Sequence, residues 1–113
     1  MATAAKTVGG AVMKGTGSTL MSIDFEVFGK VQGVFFRKYT VRNSKKHGLV
    51  GWVQNTSHGT VLGQMQGAAD KIKIMKQWLQ KEGSPRSKIQ KAEFRSERVI
   101  TELEHDTFRV LRP

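Results

Sequence analysis

The sequence predicts a single α+β domain in which two helices cover one face of a β-sheet. Short segments of alternating apolar and polar residues indicate strands, one segment with helical spacing indicates a buried helix face, and glycine-containing turns separate them. The chain has 113 residues, enough for one domain and little more. Hydrophobic residues make up 38% of it, which is ordinary for a globular protein and too high for disorder throughout.

The first strand and the loop after it begin the predicted domain. Ile23, Phe25 and Val27 alternate with acidic residues, which is the period-two pattern of a half-buried strand. Gly29 is predicted to end this strand and to begin a loop that runs to Arg37, because glycine allows a sharp turn of the backbone.

A helix and a β-hairpin are predicted next. The helix continues to about His47, and Gly48 is its stop signal. Leu49–Asn55 and Thr60–Gln66 then have strand character. The four residues between these two strands, 56–59, are the predicted hairpin turn.

The second half of the chain predicts one clear helix and two strands. Apolar residues recur there at steps of four, three and four, at Ala68, Ile72, Met75 and Leu79. Gly83 and the Ser-Pro pair after it end the helix. Alternation around Ala92–Phe94 and Phe108–Val110 predicts two more strands. The order βαββαβ, plus a short terminal strand, predicts a ferredoxin-like sandwich with an antiparallel sheet and both helices on one face.

The first twenty residues differ in composition from the rest. Residues 1–20 contain alanine, glycine, serine, threonine and two lysines, without acidic or aromatic residues. We therefore predict a flexible tail at 1–20 and a folded domain at 21–113. Glycines and Lys14 interrupt any signal-peptide core, so we expect a cytoplasmic protein. Mitochondrial import through the tail is the alternative, although the tail has no arginine.

The composition excludes several kinds of chemistry. The absence of cysteine rules out disulfides, thiolate zinc sites and cysteine nucleophiles. The three histidines, His47, His58 and His105, lack the spacing of metal ligands, and no Asp-x-Asp pair occurs. We therefore predict neither metal nor cofactor. No apolar run is long enough to span a membrane.

The net charge of +10 suggests a nucleic-acid or other anionic partner, but the cations are scattered along the chain, which is more typical of a solvated surface, so charge alone does not decide the function. An RNA-binding module shares the predicted element order, but its third strand needs aromatic residues, and 60–66 contains none. We therefore expect no specific nucleic-acid partner. A monomer is the default, because no large exposed apolar stripe is apparent.

The loop that ends at Arg37 has the features of an anion cradle. Gly29 and Gly33 allow close approach of the backbone, and the helix that follows begins with unpaired amides. Arg37 adds a planar cation that matches phosphate oxygens. A plain strand-to-helix turn with a surface arginine would have the same residues.

Asn55 ends the second strand at the edge of the sheet where this loop begins. The first two strands of a split βαβ unit are parallel, so their carboxyl ends share one edge. Arg37 and Asn55 can therefore share one hollow, although asparagine is also a common turn residue. Phe36 and Trp52 could stack on a substrate, but are predicted mainly to pack within the domain.

Two segments carry a resemblance to a known family. The first contains Gly29, residues 31–34, Phe36 and Arg37, and the second contains residues 51–55 followed by three residues at matching spacing, Gly59, Val61 and Gly67. Both segments resemble the two signatures of the acylphosphatase family, and the resemblance extends from Ser22 to the C-terminus.

The resemblance implies a hydrolase that splits acyl phosphates into a carboxylate and inorganic phosphate, which is product and inhibitor. Arg37 would bind the phosphate and Asn55 would orient the attacking water, without a covalent intermediate. Gly29 and Thr56 would support the two turns. The main-chain amides that would hold the phosphate oxygens are those of Gln32, Gly33, Val34, Phe35, Phe36 and Arg37. A small ferredoxin-like protein that has lost catalysis and binds phosphate or another protein remains an alternative.

Overall fold

A computed structural model describes residues 19–112 of the chain, which form two helices and five strands. In chain order the elements are β1 (Leu20–Lys30), α1 (Phe36–Lys46), β2 (Val50–Asn55), β3 (Val61–Ala68), α2 (Ala69–Lys81), β4 (Lys88–Val99) and β5 (Phe108–Val110). Nearly all of the predicted tail, 1–20, lies outside the described residues. Only Thr19 and Leu20 fall inside, and Leu20 begins β1.

The predicted fold class is confirmed. The strands form one sheet in the order β4-β1-β3-β2-β5. β1 is antiparallel to β3 and to β4, and β3 is antiparallel to β2, so β1 and β2 are parallel with β3 between them. The terminal strand β5 pairs parallel to β2, which makes the predicted antiparallel sheet a mixed one at that edge.

One core between the sheet and the helices stabilises the domain. Alternate residues of the strands are buried there, including Ile23, Phe25 and Val27 of β1, as the alternation predicted. The rings of Phe36 on α1 and Trp78 on α2 lie 5.6 Å apart between centroids and join the two helices. Phe36 is 1% exposed, so its predicted packing role is confirmed.

Several element ends differ from the prediction by one or two residues, and two of these differences have a clear structural cause. The helical spacing predicts Ala68 in the buried stripe of the second helix, but its backbone is extended and it ends β3, because pairing with Leu20 continues the sheet to this residue. Gly29 does not end β1, which continues to Lys30. Gly29 lies at a register shift against β4 with φ of +127°, and a Cβ there would clash with the carbonyl oxygen of Lys88. Glycine is therefore required at position 29 by the pairing of β1 with β4 and not by the loop.

A segment between β4 and β5, residues 100–107, crosses the sheet face that carries no helix. Its Glu104 accepts a hydrogen bond from the buried amide of Gln66 and donates its own main-chain N–H back to that side chain, at 2.7 and 2.8 Å. His105 Nε2 lies 2.7 Å from Gln64 Oε1. These contacts give His105 a structural role beside Gln64, which lies in the middle of β3.

Candidate active site

The loop between β1 and α1 turns its backbone amides toward one side. Gly33 and Phe35 have positive φ angles, +75° and +61°, and Val34 between them does not. Such alternation of φ sign makes successive N–H groups converge on a concavity suited to an anion. Phe35 is an aromatic residue in the left-handed region, a strained conformation that proteins retain mainly at functional sites. These angles support a ligand-binding role for the loop in addition to chain reversal.

The N-terminus of α1 adds a positive field to this loop. The helix begins at Phe36, and its first amides have no partners within the helix. Its first turn contains no acidic residue that would offset the helix dipole. Arg37 lies in this turn, half-buried, and pairs with no carboxylate among residues 19–112. The guanidinium remains available for a bound anion.

Arg37 faces an open groove of about 310 Å³, at the small end of the size range of ligand sites. The loop contributes Gly33 and Phe35 to this groove. Its remaining lining comes from Val31, Phe36, Lys38, Val110 and Arg112.

Asn55 is the last residue of β2 and lies at the same sheet edge as the end of β1. Val53, two residues earlier, is fully buried beneath the helices, so Asn55 is on the helix side of the sheet, as α1 is. Its Oδ1 is buried and accepts no hydrogen bond from any residue within 19–112. A buried oxygen without a partner is costly and needs an explanation, of which a bound water or ligand is one. Within 19–112 the hydroxyl oxygens of Ser44 and Ser84 are buried without a partner too.

The side chain of Gln32 ties the loop to the hairpin turn next to Asn55. Its Nε2 donates hydrogen bonds to the main-chain oxygens of Thr56 and Thr60, both at 2.9 Å. The loop that carries Arg37 and the turn that follows Asn55 are therefore held together directly. Sequence reasoning used only the main-chain amide of Gln32, and no spacing in the sequence indicates this side-chain role.

A hydrogen-bonded chain of side chains supports the turn from the opposite sheet face. The hydroxyls of Thr56 and Thr60 lie 2.6 Å apart, and Thr60 donates to Glu26 Oε2 at 2.7 Å. Arg95 Nη2 on β4 donates to the other oxygen of Glu26 at 2.7 Å. The sequence does not predict this role for Glu26 and Arg95, because both have the pattern of ordinary polar positions in strands.

The other two histidines, His47 and His58, do not line the groove beside Arg37. His58 is exposed in the hairpin turn, and His47 is at the C-terminal end of α1. Within the described range, no three histidine, aspartate or glutamate side chains are close enough to hold a metal ion. Trp52 is on the sheet face without helices, beside His105 and Arg109 and away from the loop.

Glu26 makes the stability of this arrangement sensitive to acid. The hydroxyl of Thr60 and the guanidinium of Arg95 hold the pKa of Glu26 below its ordinary value of 4.5. Ionised Glu26 therefore stabilises the fold above pH 4.5, and this contribution is lost as the pH falls through the lowered pKa. We expect Glu26→Gln to lose less unfolding free energy than the wild type between neutral pH and about pH 3.

The measurement is denaturant unfolding at several pH values. Glu97→Gln is the control, because Glu97 is an exposed carboxylate of β4 whose nearest ammonium, on Lys76, lies 3.6 Å away. The unfolding free energy of Glu97→Gln should depend on pH in the same way as that of the wild type. Equal acid sensitivity in Glu26→Gln and the wild type would show that Glu26 is not responsible.

Comparison with known proteins shows the family of this chain. The Acylphosphatase family model matches residues 23–110. The chain belongs to the acylphosphatase family. Acylphosphatase-1 of Mus musculus is 56% identical over 85% of this chain and 97% of its own length, and Acylphosphatase-1 of Xenopus tropicalis is 60% identical over 80% and 92%. An acylphosphatase structure from Coxiella burnetii has a TM-score of 0.73 at 35% identity, covering 82% of this chain and 94% of that one.

This acylphosphatase is accordingly a hydrolase of acyl phosphates, small molecules in which a carboxyl group is joined to phosphate. Both signature segments lie within the matched residues. In the part of the chain that the structure describes, neither helix is long and apolar enough to cross a membrane.

Proposed function

We propose that the loop amides and Arg37 hold the phosphoryl group while Asn55 orients the water that attacks phosphorus. The amides are those of Gln32, Gly33, Val34, Phe35, Phe36 and Arg37. The observation that carries the proposal is that Arg37 pairs with no carboxylate among residues 19–112 and lies at the positive end of α1, directly after a loop of alternating φ sign. Preorganised donors of this kind stabilise the charge on the equatorial phosphate oxygens in the transition state.

The reaction needs little further machinery. The bond between phosphorus and the carboxyl oxygen breaks, a bond from phosphorus to the water oxygen forms, and the electron pair leaves with the carboxylate. A carboxylate has a reference pKa of about 4, so it departs without a general acid. Asn55 is an amide and cannot accept a proton at neutral pH. The proton that water loses therefore goes to a phosphate oxygen or to solvent.

Hydrolysis in water labelled with ¹⁸O tests which atom the water attacks, and a single-turnover experiment tests whether a covalent intermediate forms. Attack at phosphorus is expected to place the label in inorganic phosphate and none in the carboxylate. A single turnover with phosphorus-labelled substrate, quenched in milliseconds, is expected to leave no phosphate on the protein. Label in the carboxylate, or a phosphoprotein that forms and decays at the rate of turnover, would contradict the mechanism.

Inorganic phosphate is expected to compete with substrate, because the same amides and Arg37 fit both tetrahedral groups. We also infer that the enzyme works as a monomer in the cytoplasm, without metal, cofactor or specific nucleic acid. The large apolar side chains that are exposed in residues 19–112, such as Ile74 and Val99, lie on different elements and support this oligomeric state. Sedimentation at micromolar concentration tests it.

A further inference from the structure

We propose that Lys38 and Arg112 form a second anion site beside the phosphate cradle, which selects acyl phosphates with another negative charge on the acyl group. The inference rests on the proposed function, because it takes the phosphoryl group to lie at Arg37. It adds a class of substrate, since a further carboxylate or phosphate on the acyl chain would contact these two cations.

Both cations reach the groove from separate parts of the fold. Lys38 is on the first turn of α1, and Arg112 follows β5, yet both line the groove that Arg37 faces. Each is exposed, and neither pairs with a carboxylate in the described part of the chain. Arg95 and Arg109, by contrast, are held by carboxylates within 3.0 Å on other surfaces.

The groove also offers an apolar wall for the carbon skeleton of a substrate. Phe35 is 70% exposed although it is a large aromatic residue, and Val110 is half-buried opposite the loop. The ammonium of Lys38 lies 5.7 Å from the centre of the Phe35 ring. An acyl group placed against Phe35 would therefore have a cation within reach of its far end.

The electrostatics of the groove favour a second anion. None of the described residues that line it is acidic, and three of them are cations. The strand carboxylates, such as Glu26 and Glu93, are paired with Arg95 on the sheet face that carries no helix. An exposed ion pair contributes modestly, so two of them together predict about a tenfold preference in kcat/KM.

The test compares two substrates of nearly identical shape. They are 4-carboxybenzoyl phosphate and 4-carbamoylbenzoyl phosphate, which differ by one negative charge at the far end of the ring. We expect the wild type to have a higher kcat/KM for the carboxy compound, by about tenfold at low salt. In Lys38→Gln/Arg112→Gln this ratio is expected to fall to about one, with each single variant in between.

A matched double variant separates a local site from the overall field of a basic protein. Lys46→Gln/Arg86→Gln removes the same charge at exposed positions outside the groove, so the substrate ratio should stay at the wild-type value. An equal loss of preference in both double variants would overturn the second site, because the general field would then explain it. Equal kcat/KM for both substrates in the wild type would also overturn it.

These failures differ from a failure of the proposed function. Suppose that the wild type hydrolyses both benzoyl phosphates at equal kcat/KM and that the ¹⁸O label enters phosphate. In that case only the proposed second site is wrong. If the label enters the carboxylate, the proposed attack at phosphorus is wrong, whatever the substrate ratio.

Discussion

We expect Arg37→Ala to lower kcat for benzoyl phosphate by at least ~10²-fold and to weaken competitive inhibition by inorganic phosphate. The guanidinium is half-buried in the first turn of α1 and has no carboxylate partner among residues 19–112. Its removal therefore breaks no ion pair within the described fold, and the loss is expected in turnover and phosphate binding. Steady-state kinetics with phosphate as inhibitor measure both.

Two further variants identify what Arg37 contributes. Arg42→Ala removes the same charge from an exposed position on the same helix and should keep kcat within about threefold of the wild type. Arg37→Lys keeps the charge but loses the planar fork, so it should recover only part of the loss. If Arg42→Ala lowers kcat as much as Arg37→Ala, the overall field and not this guanidinium would be responsible.

We expect Asn55→Ala also to lower kcat by at least ~10²-fold, but to leave phosphate inhibition largely intact. The amide is assigned to the water and not to the phosphoryl group, so product affinity does not depend on it. Because Asn55 Oδ1 is buried without a partner in the described residues, its removal should not lower the melting temperature. Turnover, phosphate inhibition and thermal unfolding of one protein preparation measure all three effects.

Gln54→Ala is the matched control for this change. Gln54 precedes Asn55 on β2, and alternation along the strand places it on the other face of the sheet. The control removes a carboxamide of similar chemistry and should retain turnover. Full activity of a folded Asn55→Ala variant would contradict the proposal that Asn55 orients the attacking water. Loss of phosphate inhibition in Asn55→Ala would instead place the amide on the phosphoryl group.

The order of the elements could be predicted from sequence because each strand and the second helix carry their own periodicity. Alternation in β1 and the helical stripe of α2 arise from burial on one face, which local sequence records directly. The exact residues at which the strands begin and end could not be predicted in the same way. Leu20 and Ala68 extend β1 and β3 only because they pair with each other, and such pairing is set by register between distant segments.

The two signature residues could be selected from sequence, while their support could not. Arg37 and Asn55 follow strands that end at one sheet edge, and topology alone predicts this. The link from Gln32 through Thr60 to Glu26 joins residues 28 and 34 positions apart. No local pattern distinguishes these side chains from ordinary polar residues, since the contacts exist only after the loop and hairpin have folded together.

The amino-acid sequence by itself determined the family, the α+β class and the sheet edge at which chemistry is expected. The tertiary structure alone decided which cations pair with a carboxylate among residues 19–112 and which do not. Arg37, Lys38 and Arg95 are equivalent in a charge count, yet Arg95 is held by Glu26 while the first two line an open groove. Charge neutralisation depends on distances of a few ångströms between segments far apart in the chain, and only the folded sheet sets those distances.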